Sequence, residues 1–289
     1  MAKKKTLLEV LEKYESGKQL SKADCKVVLD EIYTCFVDSG KRRTDLLDIL
    51  IRNAEKVVEK LGRPLSDIES ESYYGLHACN NHTAKMAGNE SWSTNNKCNK
   101  RCAHNKQCKG SICEHCFADA QLNTFPTMEK GLTINYLLLN YTVLPISILP
   151  LVNRQFARIE SFGDVETVFQ AINYCNLMTA HTLNTFVQFG AWSKNPDIWA
   201  AAFETVGKPE NLSFGVSSLF MNKVTKISRK FEKYVDFVFT VFETEEDARA
   251  AGYEINCGAR HCLSCLRCYR AHAVKLETGK FVQCIELKK

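Results

Sequence analysis

The chain has 289 residues, of which 45% are hydrophobic, 25% charged and 10% aromatic, and its net charge is +5. This composition is typical of a globular protein and excludes a disordered or collagen-like chain. Asn140, Pro145 and Pro150 interrupt the most apolar stretch, residues 136–152, so we expect no transmembrane span. Because the N-terminal lysines lead into a charged amphipathic stretch, we also expect no signal peptide and a cytoplasmic protein.

Residues 1–70 are predicted to form a small helical region. Apolar residues recur at the helical period over residues 7–14. Ser21 and Asp24 are suited to capping a second helix that runs to about residue 36, and Thr44 opens a third helix that a glycine ends.

Residues 71–127 form a cysteine-rich segment that we expect to bind metal. Between positions 75 and 120 the chain is polar and has six cysteines and four histidines. A segment this polar cannot build its own apolar core, so metal ligation is the obvious source of its order. In a long chain without a secretion signal, the 14 cysteines are better explained as metal ligands or catalytic groups than as disulfides.

Residues 128–256 alternate between predicted strands and helices. The predicted strands are 156–162, 185–191, 212–216 and 235–242, and the predicted helices are 132–149, 165–180, 196–206, 223–234 and 245–251. This alternation predicts βαβ units, and four or five of them in series indicate a full or partial (β/α) barrel. Residues that follow the strands line the active face of such a barrel. Here they are Gly163, Asp164, Ser193, Lys194, Ser217 and Ser218. Asp164 is also predicted to cap the helix over 165–180.

Residues 257–289 contain a second cysteine cluster and a predicted β-hairpin that turns at Thr278 and Gly279. The cluster comprises Cys257, Cys262, Cys265 and Cys268, spaced Cys-x4-Cys-x2-Cys-x2-Cys. Four thiolates this close together can enclose one metal centre. The spacing favours a 4Fe–4S cluster, and zinc held by four thiolates is the alternative. Cys284 alternates within the second strand of the hairpin and is expected to lie in the core.

The upstream cysteines are Cys98, Cys102, Cys108, Cys113 and Cys116. Five thiols are too many for one four-coordinate site, so either two centres share them or some bind no metal. The tightest subset is Cys108-x4-Cys113-x2-Cys116, and three ligands would leave one coordination position open for chemistry. His104 or His115 would instead complete a zinc site.

Basic residues surround both clusters. They are Lys97, Lys100, Arg101, Lys106 and Lys109 at the first, and Arg260, Arg267 and Arg270 at the second. Cations lower the pKa of nearby thiols and offset the negative charge of a thiolate-bound metal. The same side chains can contact phosphates, so nucleic acid is a candidate partner, although few aromatic residues are interleaved with them.

The motifs between Cys108 and Tyr269 resemble those of the "gene product 88" family, proteins of bacteriophages and mobile elements. The matching motifs are Cys-x4-Cys-x2-Cys-Phe-Ala at 108–118, Arg-x-x-x-Phe-Gly-Asp at 158–164, Trp-Ser-Lys-Asn at 192–195 and the final cysteine run. More distantly, the pattern is similar to radical S-adenosylmethionine (SAM) barrels. In those, three cysteines bind a 4Fe–4S cluster and SAM ligates the open iron.

The resemblance implies that Cys108, Cys113 and Cys116 bind a cluster, and Cys98 and Cys102 are further candidate ligands. The four C-terminal cysteines would hold an auxiliary centre. Gly163 and Asp164 would correspond to the acidic loop that meets the SAM amino group. Ser193 and Lys194, at the end of the next strand, are the other candidate cofactor-binding residues.

The sequence therefore predicts an α/β protein with a radical-SAM-type barrel, one or two 4Fe–4S clusters and SAM as a ligand, acting on an unidentified substrate in the host cytoplasm. The alternative is a non-catalytic phage protein whose iron–sulfur or zinc centres fold a surface that binds a host protein or nucleic acid. A third hypothesis is a zinc-stabilised nucleic-acid-binding protein. No membrane partner is expected.

Overall fold

A seven-stranded sheet, in which the strands lie side by side in chain order, organises the molecule. The computed structural model describes residues 5–65, 74–80, 84–258 and 261–288. The strands are β1 (Cys79–Asn80), β2 (Glu90–Trp92), β3 (Phe156–Ile159), β4 (Gln188–Ser193), β5 (Leu212–Ser217), β6 (Phe237–Phe242) and β7 (Val282–Leu287). β1 is antiparallel to β2, whereas β2 to β7 are parallel to their neighbours. The α/β class is confirmed, and six parallel strands in sequential order are compatible with a partial (β/α) barrel.

Helices precede the sheet and connect its strands. They are α1 (Leu7–Glu15), α2 (Lys22–Ser39), α3 (Thr44–Leu61), α4 (Lys100–Gln107), α5 (Phe117–Thr124), α6 (Pro126–Leu139), α7 (Val168–Thr179), α8 (Pro196–Val206), α9 (Arg229–Glu232), α10 (Glu245–Ala250), α11 (Cys262–Cys265) and α12 (Ala271–Thr278). Within the described ranges, no helix is both long and apolar enough to cross a membrane.

The N-terminal helices form as predicted. Ser21 and Asp24 make a reciprocal capping box at the start of α2. Each side chain accepts a hydrogen bond from the backbone N–H of the other residue, a donor that has no partner within the helix. α3 ends at Gly62, which adopts the left-handed conformation that favours glycine. Apolar residues of all three helices belong to the same buried cluster as the helix-facing side of the sheet. The N-terminal region therefore packs onto the sheet domain through a continuous core.

The two faces of the sheet are covered differently. One face, which includes Trp92, Ile159 and Phe214, belongs to the main apolar core together with Trp199 of α8. The opposite side, here called the inner face, is defined by Arg158, Trp192, Phe239 and Cys284. Register pairs place Arg158 beside Gly190 and Phe239 beside Cys284, and side chains two residues apart share a face.

The C-terminal cysteine segment and α12 lie against the inner face. Ser213 of β5 donates to the carbonyl of Tyr269 at 2.9 Å and accepts from the backbone N–H of His272 at 3.0 Å. A Cβ at Gly190 would stand 3.2 Å from Cε1 of Tyr269, so glycine at this position makes room for the tyrosine ring. The second cysteine cluster is therefore held against the inner face of the sheet.

The structure corrects several sequence predictions. Asp164 does not cap a helix, because α7 begins at Val168 and its cap is Thr167, which accepts from the backbone N–H of Gln170. The prediction of a C-terminal β-hairpin is wrong, because residues 271–278 are helical and β7 pairs in parallel with β6. The basic stretch 223–234 is helical only over Arg229–Glu232. The apolar helix predicted over 132–149 instead spans Pro126–Leu139.

Candidate functional site

The loops that follow β3 and β4 are joined at the carboxyl edge of the sheet by Asp164. Its buried carboxylate accepts from Oγ of Ser193 at 2.5 Å and from the backbone N–H groups of Lys194 and Val165, both at 2.8 Å. Burial raises the pKa of Asp164, and the hydrogen bond from Ser193 and the charge of Lys194 oppose this rise. The predicted residues Asp164, Ser193 and Lys194 therefore come together. The hydrogen bonds to the Asp164 carboxylate, however, come from other residues of the chain.

Gly163 allows the loops after β2 and β3 to approach closely. A Cβ on this residue would lie 2.7 Å from Oε2 of Glu160 and 3.1 Å from the carbonyl oxygen of Thr94. Contacts this short are not tolerated by real side chains, so the position requires glycine for close approach. Gly163 thus allows Glu160 and Thr94 to lie close to the backbone at this edge, and it has no side chain that could bind a ligand.

Glu160 is a buried carboxyl group at the same edge. It accepts hydrogen bonds from the backbone N–H and hydroxyl of Thr94, the amide of Gln170 and the hydroxyl of Tyr174, at 2.5 to 3.2 Å. Burial raises its pKa to about 7, against the lowering effect of Tyr174 and Thr94 and with a further rise from Asp164. Its backbone is in the left-handed region, at a φ of 54°, which is uncommon for a non-glycine residue and frequent at functional sites.

Cys102, Cys113 and Cys116 are grouped beside this edge. Burial raises the pKa of the Cys102 thiol, and the charges of Asp164, Glu160, Cys113 and Cys116 add to the rise. Burial also raises the pKa of Cys113, which is affected in addition by Lys194, Cys116 and Asp164. The three thiols therefore lie in one electrostatic neighbourhood, opposite Asp164 and Lys194.

The other two upstream cysteines lie elsewhere. Cys98 packs against the main core, and its electrostatic neighbours are Arg42, Glu129 and Glu166. Cys108 ends α4, where its thiol is 3.6 Å from the carbonyl oxygen of His104. The structure thus groups Cys102 with Cys113 and Cys116, whereas the sequence had favoured Cys108. His104 and His115 are exposed.

The grouping of the three thiols is compatible with a four-iron cluster. Across the described ranges, no three His, Cys, Asp or Glu side chains are arranged to hold one metal ion. A single zinc ion requires every thiolate within about 2.3 Å of one point. The cysteines of a four-iron cluster need not converge in this way, because each binds a different iron. Three grouped thiols, one of them within electrostatic reach of Lys194, are compatible with that looser requirement.

Lys194 reaches across the ends of the neighbouring strands. Its Nζ lies 3.5 Å from Oγ of Ser217 at the end of β5, and its charge also acts on Cys113. Ser218 follows directly and is buried, with its backbone N–H donating to Phe239. Lys194 thus connects the end of β5 with the neighbourhood of Cys113.

The C-terminal cysteines form a second group on the inner face, together with a residue that was assigned to the core. Cys257 and Cys268 pack with the buried Cys284 of β7, and Cys262 lies within the electrostatic reach of Cys268. Cys265, at the end of α11, is partly exposed. All 14 cysteines have free thiols.

Comparison of the chain with family models, curated proteins and solved structures finds no match. The site therefore has to be interpreted from its own residues. Sequence reasoning missed Glu160 and Arg158, although both lie within the Arg-x-x-x-Phe-Gly-Asp motif. It also missed Lys85, which stands 3.0 Å from the thiol of Cys257 and is separated from it by most of the chain.

Proposed function

We propose that this chain is an iron–sulfur protein in which Cys102, Cys113 and Cys116 hold a 4Fe–4S cluster at the carboxyl edge of a partial barrel. The observation that supports this is the grouping of three thiols, all from the connection between β2 and β3, beside Asp164 and Lys194. Three cysteine ligands leave one iron of such a cluster without a protein ligand. The resemblance to radical-SAM proteins points to SAM as the ligand of that iron.

The residues at the edge have separate roles in this proposal. Asp164 fixes the positions of Ser193 and Lys194 through its hydrogen bonds. Lys194 supplies a cation near the thiols, suited to the carboxylate of SAM and to offsetting thiolate charge. Burial of Cys102 and Cys113 keeps their thiols protonated until metal displaces the protons, so assembly of the site is coupled to proton release.

The bound groups would supply a chemistry that the side chains lack. With SAM and an external one-electron donor, a 4Fe–4S cluster held by Cys102, Cys113 and Cys116 would supply reductive cleavage of a sulfur–carbon bond of SAM, releasing methionine, and hence radical hydrogen abstraction from a substrate. The chain contributes ligation, orientation and exclusion of water at an edge where Asp164, Ser193 and Ser218 are all buried.

Iron and acid-labile sulfide per chain, measured on protein purified without oxygen, test the cluster. We expect Cys102→Ser, Cys113→Ser and Cys116→Ser each to lose about four irons and four sulfides relative to the unmodified chain. Cys108→Ser is the matched control, because it removes a nearby thiol from the same segment, and it should retain the full content. Equal loss in all four variants, or zinc in a colourless protein, would overturn the assignment.

Equilibrium binding of SAM to the reconstituted protein tests the ligand. We expect binding to weaken about tenfold or more in Lys194→Met, since a charge-assisted hydrogen bond is lost. Lys223→Met, which removes a cation from the loop after β5, should bind SAM as the unmodified chain does. A cluster that forms but binds no SAM would instead favour the non-catalytic protein whose metal centres fold an interaction surface.

A further inference from the structure

Cys284 of β7 stands next to a member of the C-terminal cysteine run. Its Sγ lies 3.5 Å from Sγ of Cys268, and its side chain is completely buried. A disulfide would bring the two sulfurs to about 2.05 Å. Two thiolates on one tetrahedral zinc ion, each bonded at about 2.3 Å, stand about 3.8 Å apart. The observed spacing is close to that of two sulfurs that share one ion.

Two further thiols surround this pair. Cys257 packs in the same apolar cluster as Cys268 and Cys284. Cys262 interacts electrostatically with Cys268 from the start of α11. Cys262 and Cys265 both lie outside that cluster, and both are partly exposed, as are Cys257 and Cys268. Burial raises the pKa of Cys262, whose electrostatic neighbours include Cys265 as well as Cys268. The fold therefore adds Cys284, from a strand, to the four cysteines of the sequence pattern. Because a tetrahedral ion takes four thiolates, one of these five cysteines is left without a place in the site.

Two cations are arranged around the same thiols. Lys85 donates to Sγ of Cys257 at 3.0 Å and to Glu286 at 2.7 Å. The guanidinium carbon of Arg158 stands 3.4 Å above the ring of Trp192, and its buried Nε has no hydrogen-bond partner. Four thiolates around a divalent ion leave a net charge of about −2, which Lys85 and Arg158, less the charge of Glu286, offset in part.

We propose that Cys268 and Cys284 bind the same thiophilic metal ion, with Cys257 and Cys262 as the remaining ligands and Cys265 outside the site. The inference takes from the proposed function only the use of cysteines as metal ligands. In the described ranges no three ligands already converge on one point, so Cys257 and Cys262 close onto the ion when it binds. Binding of this kind stabilises the folded chain, because the unfolded chain has no preformed site.

Cobalt(II) titration under anaerobic conditions tests the ligand set, because the intensity of the thiolate-to-cobalt absorption increases with the number of thiolates. The parent protein is the full chain with Cys102→Ser, Cys113→Ser and Cys116→Ser, so that only the C-terminal site contributes. Failure of the first site is thereby separated from failure of the second.

In this background we expect Cys284→Ser to lose about a quarter of the absorption, one thiolate of four, and to bind cobalt at least about tenfold more weakly. Cys265→Ser, the matched control, should keep both the absorption and the affinity. The reverse pattern, or no cobalt binding by the parent protein, would overturn the proposal. Circular dichroism verifies that each variant is folded.

Thiol labelling of the unmodified chain gives a second test that requires no variant. With zinc bound, N-ethylmaleimide should modify Cys265 but not Cys257, Cys262 or Cys268, and removal of zinc by a chelator should make all four reactive. Protection of Cys265 by zinc, or a Cys268–Cys284 disulfide in peptides from protein alkylated at lysis, would contradict the assignment.

Discussion

Arg158 lies flat against Trp192 on the inner face, with its guanidinium carbon 3.4 Å from the centroid of the ring. Trp192 stacks in turn on Phe239, with ring centroids 5.7 Å apart and planes 19° from parallel. The stack therefore spans β3, β4 and β6 and holds a cation next to the C-terminal thiols. Burial lowers the pKa of Arg158, and Tyr269 and the thiols of Cys262 and Cys268 oppose this effect.

Arg158→Met separates the effect of this buried cation on stability from its effect on metal binding. Because methionine keeps an apolar stem over Trp192 and removes a buried guanidinium with an unpartnered Nε, we expect the metal-free variant to be about 1 kcal/mol more stable. Cobalt binding at the C-terminal site should be about tenfold weaker, since a charge that offsets the thiolates is lost. Urea unfolding and cobalt titration measure the two effects, and a fall in both would refute this division.

Ser193→Ala tests the connection between the loops after β3 and β4. The substitution removes the donor to Oδ1 of Asp164 and the acceptor for the backbone N–H of Asn195, both in buried positions. We expect a loss of about 1–3 kcal/mol in the free energy of unfolding, because buried polar groups are left without partners. Ser111→Ala is the control, because it removes a buried hydroxyl whose hydrogen bond goes to a single backbone carbonyl. A larger loss of unfolding free energy in Ser193→Ala would show that the network at Asp164 contributes more to stability.

Glu160→Gln should flatten the pH dependence of stability. The pKa of Glu160 rises from 4.5 to about 7 on folding, chiefly through burial. Between these values the folded chain binds more protons than the unfolded chain, so stability falls as pH rises, by up to about 3 kcal/mol. Glutamine cannot titrate, so the decline attributable to this group should vanish. Urea midpoints at about pH 5 and about pH 7.5 measure it, and an unchanged slope in the variant would assign the decline to other groups.

Capping residues made several elements predictable from sequence. The Ser21–Asp24 box and the Thr244–Asp247 box both form, and α8 begins at Pro196, as the predicted range 196–206 has it. These features act over one helical turn, so the local sequence contains all the information that determines them.

Other elements were missed because their local sequence is ambiguous. Gly279 has a φ of 69°, which suits either a hairpin turn or the end of a helix, and the structure uses it to end α12. β2 is three residues long and polar, and Glu90 is satisfied there by Trp92 and Asn153, contacts that no periodicity reveals.

The proposed metal ligands likewise could not be identified from local sequence alone. Cys108 lies six residues beyond Cys102, which along α4 turns it by about 240° to another side of the helix. Linear spacing favoured Cys108, whereas the proposed ligand Cys102 is within electrostatic reach of Asp164, Cys113 and Cys116. In the same way Cys284 reaches Cys268 through the pairing of β7 with β6, which the expected hairpin concealed.

Asp236→Asn should be the most destabilising of these changes. Its carboxylate, 1% exposed, accepts from Lys208 at 2.5 Å, from Phe214 N–H at 2.7 Å and pairs with His272 at 2.9 Å. Lys208 is itself only 11% exposed, and burial lowers its pKa while Asp236 opposes that effect. Asparagine leaves this ammonium group buried without a counter-charge, which costs about 3–5 kcal/mol.

Asp197→Asn is the matched control for this prediction. Asp197 also pairs with a lysine at 2.5 Å, but both side chains are more than 60% exposed, so solvent screens the pair and its removal should cost less than about 1 kcal/mol. Urea unfolding of the two variants measures the difference. Similar losses in both would mean that water reaches Lys208 when Asp236 is neutral, and that burial at this end of the sheet does not set the strength of the pair.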